Sequence, residues 1–167
     1  MATIDQIIKR TKKLNFKKIL RESFEDTQSQ LNQAQRDQMI HGINAEGERI
    51  GRYKDPNYAR KKYAMNQKAG LGNVDLKFTG QFQSEVFTDI RDSSIVFSSS
   101  DNEPVNTGDG SIGKTDKLVE KYGGQIFGLS KEYSGQYVKD HLADTAQGKV
   151  NKILKEWYPV QLVLNLI

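Results

Sequence analysis

Cysteine is absent from this chain of 167 residues. Its absence excludes a disulfide framework, a thiolate zinc site and a thiol nucleophile, and nothing in the sequence indicates a small secreted domain. An intracellular or virion setting is compatible with this composition. Two histidines are present, and neither has partners that complete a site. His141 lies near Asp140 and Asp144, but further ligands or a nucleophile would have to come from segments that offer none.

Long apolar runs are absent as well. No stretch approaches the eighteen or so uninterrupted apolar residues of a membrane-spanning helix, and the apolar run at the N-terminus is too short for a signal peptide. We therefore expect a soluble protein without membrane contact. With 36% hydrophobic and 28% charged residues the chain is polar. Such a composition fits one domain, 1–167, with a small core, or a protein that completes itself in an assembly.

Charge is unevenly distributed, although the net charge is only +4. Basic residues without any acid among them occupy the start of the chain: Lys9, Arg10, Lys12, Lys13, Lys17, Lys18 and Arg21. A second basic stretch covers 52–68, whereas 85–109 is mostly acidic. Segregated charge more often marks solvated helix faces and complementary subunit contacts than nucleic-acid binding. A nucleic-acid-binding module that uses the basic N-terminal helix remains an alternative.

Helical periodicity dominates both ends of the chain. Apolar residues recur at helical spacing over 3–40, which predicts one long helix or two in succession, and 1–40 is treated as an N-terminal helical segment. A short basic helix with Tyr63 on its apolar side is expected over 58–67. After Ser130 an apolar stripe predicts a helix of about seven turns that ends at Tyr158-Pro159.

Strand signals lie between the helices and at the end of the chain. A hairpin is predicted over 86–98, because two segments rich in β-branched and aromatic residues flank a turn. Alternating apolar residues predict a C-terminal strand over 160–167. The polar segment 99–114 is expected to be a mobile loop. The fold class is therefore α+β, with long N- and C-terminal helices packed on a small, mainly antiparallel sheet.

One glycine-rich string matches the Walker A pattern of nucleotide-binding proteins. It runs Gly108-Asp-Gly-Ser-Ile-Gly113-Lys114-Thr115. A phosphate-binding loop needs a buried strand before its first glycine and a helix that leaves from the Lys-Thr pair. Here the approach is polar and contains proline, and the departing segment supports about two helical turns. We interpret the match as accidental and expect neither cofactor nor metal, while a P-loop protein remains the less favoured alternative.

Two short segments combine apolar anchors, turning glycines and a Ser or Thr that can cap a helix. They are Val74-Asp-Leu-Lys-Phe-Thr-Gly-Gln-Phe82 and Tyr122-Gly-Gly-Gln-Ile-Phe-Gly-Leu-Ser130. In the first, Thr79 is expected to be the N-cap of a short helix. The residues that we single out as this structural motif are Leu76, Phe78, Thr79, Gly80, Phe82, Phe127, Gly128, Leu129 and Ser130.

The first segment, followed by a hairpin, resembles the Leu-x-x-Thr-Gly-x-Leu segment of the tailed-phage tail-completion and virion-morphogenesis (neck, head-tail joining) proteins. In that family a later segment of the kind Pro-Phe-Leu-Gly-Leu-Ser opens a long C-terminal helix, and Ile126-Phe-Gly-Leu-Ser130 stands in the corresponding place. The order of elements is also similar. This chain has Gln125-Ile126 where the family usually has Arg-Pro.

The resemblance implies a structural virion protein and not an enzyme. Copies of the chain would form a ring of about six or twelve in the neck or at the tail end. The implied partners are further copies, portal or connector proteins and tail proteins. The basic residues between Lys9 and Arg21 would face an acidic partner ring or the passing DNA. The implied locations are the virion and, during assembly, the host cytoplasm.

Overall fold

The computed structural model describes residues 4–12, 14–77, 80–101, 103–106 and 111–157. The chain is α+β, as the sequence predicts. Its helices are α1 (Ile4–Thr11), α2 (Phe16–Asp26), α3 (Gln28–Ile40), α4 (Pro56–Met65), α5 (Gln81–Ser84), α6 (Lys114–Tyr122), a 3-10 turn (Gly124–Ile126), α7 (Lys131–Tyr137), a π-helical turn (Val138–Leu142) and α8 (Ala143–Trp157). Its strands are β1 (Val86–Ile90), β2 (Ile95–Ser99), β3 (Pro104–Asn106) and β4 (Ser111–Gly113). The expected strand 160–167 lies outside the described residues.

The N-terminal segment contains three helices where the sequence predicts one or two. Asn15 begins α2, because its side chain accepts a hydrogen bond of 3.0 Å from the backbone N–H of Lys18. Thr27 separates α2 from α3 with a non-helical φ of −108°. Its hydroxyl donates to the carbonyl of Ser23 and lies 2.6 Å from the hydroxyl of Tyr137. Side chains that bond the backbone or a distant partner in this way interrupt a helix without proline or glycine.

The predicted C-terminal helix is confirmed, and it contains one irregular turn. Helices α7 and α8 are joined without a break by the π-helical turn. Tyr137 and Leu142 are both buried, although they are five positions apart in the sequence. A π turn adds one residue to an α-helical turn and so brings both side chains to the core face. Val138, which the periodicity assigned to the apolar stripe, is 43% exposed for the same reason.

The predicted hairpin over 86–98 is confirmed. Strands β1 and β2 pair antiparallel, with Val86 opposite Ser99 and Ile90 opposite Ile95. Along β1 the buried positions Val86 and Thr88 alternate with exposed ones, as expected for a sheet with one covered face.

The segment 99–114 was expected to be a loop, and this prediction is wrong for its secondary structure. Ser99 ends β2, while β3 and β4 form a second antiparallel pair. Val105 and Ile112, the two apolar residues of the segment, are direct partners in this pair. The polar composition of the segment conceals this backbone pairing.

Two hydrophobic clusters form the core, and α3 contributes to both. The first cluster is Met39, Ile50, Val74, Leu76, Phe82, Val86 and Ile126. The second is Leu31, Tyr137 and Leu142, with Phe24, Ala34, Ile95, Phe97 and Leu129 packed against it. Because Leu31 and Met39 lie on the same helix, α3 connects the hairpin, the C-terminal helix and the central loops.

Candidate functional site

Two buried glutamines of α3 hold the second motif segment. Gln35 and Gln38 are both fully buried. The Gln35 amide donates to the carbonyl of Ile126 at 3.1 Å and accepts from the N–H of Gly128 at 2.7 Å. The Gln38 amide donates to the carbonyl of Gly128 at 2.8 Å and accepts from the N–H of Ser130 at 2.7 Å. The bonded residues are every second one, as they are in a β-ladder. The two glutamine side chains therefore provide hydrogen-bond partners for the backbone of the segment, as a neighbouring strand would.

Gly128 occupies a position that only glycine fits well. Its φ is 107°, and a Cβ placed there would lie 3.2 Å from the Cβ of Ala45. The residues on either side join the two hydrophobic clusters. Phe127 packs on Phe82 of the first motif segment with ring centroids 6.0 Å apart, and Leu129 packs on the second cluster. The segment therefore connects both cores through a few residues.

Ser130 stands at the N-cap position of α7, but it does not cap the helix with its side chain. Its hydroxyl is buried and has no hydrogen-bond partner among the described residues. The backbone of Ser130 makes the contacts instead, through its N–H to Gln38 and its carbonyl to Ser134 at 2.8 Å. The expected helix start is confirmed here, and the expected side-chain cap is wrong because the hydroxyl points into the interior.

The first motif segment turns at Gly80, whose φ is 92°. Gly80 is the N-cap residue of α5, so the prediction that Thr79 caps this helix is wrong. Because Gly80 is left-handed, the helix begins at Gln81, one residue later than a cap at Thr79 would allow. Phe78 and Thr79 themselves lie outside the described residues. Phe82 is 2% exposed, as expected for a core anchor.

Arg36 of α3 holds the end of α5 and the start of β1. Its guanidinium donates to the carbonyls of Gln83 at 3.0 Å, Ser84 at 3.3 Å and Val86 at 3.2 Å. A planar fork of donors suits a group of converging carbonyls at a helix C-terminus, where a positive charge is also favoured. Arg36 thus fixes the backbone that directly follows the first motif segment.

A buried ion pair holds the start of the first motif segment. Lys62 of α4 lies 2.8 Å from an Asp75 carboxylate oxygen, and both side chains are at most 5% exposed. Tyr53 and Asn66 donate to the same carboxylate at 3.0 and 2.9 Å. Burial opposes the charged carboxylate, but the hydrogen bonds from Lys62 and Asn66 outweigh it and hold the pKa of Asp75 below its usual value.

This pair corrects the orientation of the predicted basic helix. Tyr63, expected on the apolar side, is 39% exposed, whereas Lys62 faces the interior. Leu76 follows Asp75 with a φ of 52°, which is unusual for a residue other than glycine. Its buried side chain packs in the first cluster, and this packing offsets the strain of about 1 kcal/mol.

The Walker-like string is embedded in internal contacts. Lys114 lies 2.5 Å from a buried Asp101 carboxylate oxygen, and the hydroxyl of Thr115 donates to the carbonyl of Asp101 at 2.7 Å. A helix does leave from Lys114, and a short strand over 104–106 lies where a purely polar loop was expected. Gly108 lies outside the described residues. The Lys and Thr groups that would bind phosphate and magnesium are therefore held by Asp101 instead.

The basic N-terminal residues lie on exposed helix surfaces. Lys18 pairs with Glu22 along α2, and Arg21 pairs with Glu25 and with Asp92 of the hairpin. Three other lysines are exposed and form no ion pair with a described residue: Lys9, Lys12 and Lys17. Lys13 and the side chain of Arg10 lie outside the described part of the chain.

The two histidines border a groove of about 520 Å³ between α3 and the C-terminal helix. His41 Nδ1 lies 2.7 Å from the carbonyl of Asp37 and 2.9 Å from the hydroxyl of Tyr133. Burial raises the pKa of Tyr133, so its phenol stays protonated at neutral pH. The His141 ring is exposed beside Tyr137 and forms no hydrogen bond with a described residue. This geometry provides neither an activated nucleophile nor an oriented acid-base pair.

Within the described ranges, no group of three or more His, Asp or Glu side chains could hold a metal ion. The helices described here are also too short or too polar to cross a membrane. Comparison of the chain with protein-family models, with curated proteins and with solved structures finds no match.

The polar residues that fix the backbone in and around the two motif segments were not singled out from the sequence. They are Gln35, Arg36, Gln38, Lys62 and Asp75. A weak signal was present, since α3 carries glutamine and arginine on the helix that also supplies Leu31 and Met39 to the core. Polar residues between core positions of a helix can be buried when they bond backbone groups.

Proposed function

We propose that this chain is a structural protein of a tailed bacteriophage virion. It forms part of the neck between head and tail, or completes the tail, as one subunit of an oligomeric ring. The observation that carries the proposal is that α3 contacts both motif segments: Gln35 and Gln38 bind the backbone of the second, and Met39 packs on the first in one hydrophobic cluster. These segments are the ones that resemble the tail-completion and virion-morphogenesis proteins. Their shared anchor gives them a role in the framework.

The surface of the helices supports assembly as the activity. Large apolar side chains remain exposed on the first two helices: Ile8 is 47%, Phe16 57% and Leu20 46% exposed. Groups of exposed apolar residues near charged ones are typical of protein-protein contacts. In the proposed ring these side chains contact neighbouring copies or portal, connector and tail proteins. No turnover, cofactor or metal is part of this function.

The experiment is deletion of the gene from the phage that carries it, followed by electron microscopy of the lysate. We expect filled heads and tails that are not joined, and normal virions when the gene is supplied again. Rescue by Lys114→Ala should equal rescue by the wild type, because nucleotide binding has no part in assembly. Intact virions without the gene would overturn the proposal.

Nucleic-acid binding is the second candidate, and exposed cations without partners favour it. Lys9, Lys12 and Lys17 offer three positive charges that no described acid neutralises. Binding through phosphate contacts would weaken steeply with salt, in proportion to the number of contacts. Titration of a duplex at two salt concentrations tests this, and a Lys9→Gln, Lys12→Gln, Lys17→Gln variant serves as the control. Salt-independent or undetectable binding excludes this candidate.

A further inference from the structure

The β1–β2 hairpin has one covered edge and one open edge. On β1, the carbonyl of Thr88 accepts from the Gln28 side chain at 2.6 Å and that of Val86 accepts from Arg36. The outward backbone groups of β1 are thus covered by α3. In an antiparallel pair, two residues that lie opposite each other both point their backbone N–H and C=O groups inward, or both point them outward. The partner of Thr88 on β2 is Phe97, so the backbone of Phe97 points to the opposite, outer edge.

Within the described part of the chain, nothing pairs with the outer edge of β2 along most of its length. The backbone groups of Ile95 and Phe97 form no hydrogen bond with a described residue outside their own strand pair. Only at the end of the strand does Thr115 reach the carbonyl of Ser99, at 3.4 Å. The side chains of Ile95 and Phe97 pack on the second hydrophobic cluster but stay half-exposed. An open edge beside an incompletely covered core is a template for an added strand.

The chain itself contains a segment with the matching pattern. Residues 160–167 read Val-Gln-Leu-Val-Leu-Asn-Leu-Ile, with apolar residues at every second position from Val160 to Leu166. This segment lies outside the described residues. Beside β2, its period of two would place one apolar row next to Ile95 and Phe97 and would extend the second cluster. We propose that residues 160–167 of a neighbouring copy add to the outer edge of β2 as a third strand.

The direction of α8 favours a neighbour over the same chain. Leu142 lies in the second cluster, on which Ile95 and Phe97 of β2 pack. The helix continues for fifteen residues beyond Leu142 to Trp157, which is about 22 Å at about 1.5 Å per residue. To lie beside its own β2, the chain would have to cover a similar distance back, which takes about seven residues at about 3.3 Å each and would use up 158–164. The edge of another copy requires no such return.

This inference rests on the proposed ring and names its contact. Each copy donates residues 160–167 to the next copy and accepts the same segment from the previous one. Such a head-to-tail contact is heterologous, and it closes into a ring when the rotation between copies allows. Backbone hydrogen bonds provide affinity, and the apolar row fixes the register.

Engineered cysteine pairs test the contact cleanly, because the chain has no cysteine of its own. Ser98 follows Phe97 and therefore lies on the face of β2 that points away from the second cluster. We expect Ser98→Cys in one chain to form a disulfide with a second chain that carries cysteine at an odd-numbered position: Gln161, Val163 or Asn165. The matched controls are Leu162→Cys and Leu164→Cys, which lie on the other face. They should give at least tenfold less cross-linked dimer under the same oxidation.

The outcomes separate this contact from the ring. Efficient interchain disulfides at an odd position, with unchanged far-UV circular dichroism, are the expected result. Equal yields at odd and even positions, no disulfide at any odd position, or disulfides only within one chain that carries both cysteines would overturn the inference. If the wild type forms rings but these disulfides do not form, the contact is wrong and the ring stands. If cross-linking captures only a closed dimer, the contact stands and the ring is wrong.

Discussion

Replacement of Gln38 by methionine tests whether α3 anchors the second motif segment. Methionine has nearly the same volume and removes both hydrogen bonds, to the carbonyl of Gly128 and from the N–H of Ser130. Gln38 is 0% exposed, so water cannot replace the lost bonds. Each buried backbone group left without a partner costs about 1–3 kcal/mol. For two groups we expect the free energy of unfolding to fall by about 3 kcal/mol.

The assay is urea unfolding followed by circular dichroism, with the slope m unchanged so that the midpoint reports stability. A loss of about 3 kcal/mol corresponds to a decrease in Tm of roughly 6–12 °C for a chain of this size. The matched control is Gln33→Met on the same helix. Gln33 is exposed and donates to Asp37, one turn away at 3.0 Å. Its replacement should change stability by at most about 0.5 kcal/mol.

An equally small effect of Gln38→Met and Gln33→Met would refute the predicted anchoring by Gln38. That outcome would mean that the Phe-Gly-Leu-Ser segment keeps its conformation without the buried amide. A second variant, Gln38→Ala, should lose more stability than Gln38→Met, because it also leaves a cavity.

Three further predictions concern buried charges. Lys62→Met should lower the free energy of unfolding by about 3–5 kcal/mol, because it leaves the Asp75 carboxylate buried without its ion pair. A loss below about 1 kcal/mol in urea unfolding would contradict this prediction. The pKa of Asp75 is lowered in the folded state, so its stabilisation is present above the unfolded carboxyl pKa of about 3.9 and is lost as pH falls through the lower folded pKa. Wild type should therefore lose stability on acidification more steeply than Asp75→Asn, and parallel curves would refute the assignment. Lys114→Ala should lower the free energy of unfolding by about 2 kcal/mol, because it leaves the buried Asp101 carboxylate without its ion pair. Calorimetry should detect no ATP binding to the wild type or to Lys114→Ala. ATP affinity that depends on Lys114 would show that the Walker-like string is not accidental.

Local periodicity predicted the elements that depend on local contacts. The hairpin and the C-terminal helix follow from spacing and turn signals within about thirty residues, and both are confirmed. Boundaries that depend on one side chain were missed, such as the break between α2 and α3 at Thr27. That residue bonds Tyr137, which is 110 positions away in the sequence. A distant partner leaves no trace in local spacing.

The buried polar contacts were missed for a different reason. Gln35 and Gln38 resemble surface residues of a helix in type and spacing, and their burial depends on a backbone segment about 90 residues later. The prediction for Thr79 placed the helix cap one residue early, because the left-handed conformation of Gly80 is not visible in the residue types alone. Likewise, the backbone pairing of β3 with β4 was missed because the segment is polar in composition.

The sequence therefore predicted the core positions of the motif residues better than it predicted their hydrogen-bond partners. Phe82 is in the core, and Phe127 packs against it as the two segments meet. The role assigned to the hydroxyl of Ser130 was wrong, since its backbone and not its side chain is used. Residue types indicated that these positions form a framework, while the identity of the anchoring helix required the structure.

Native mass spectrometry of the wild-type protein over a wide range of concentrations tests the central claim most directly. If the chain is a subunit of a virion ring, a closed oligomer with one fixed copy number should accumulate as concentration rises, and Lys114→Ala should give the same oligomer. A monomer at every concentration, or an open series of oligomers without a preferred size, would contradict the account.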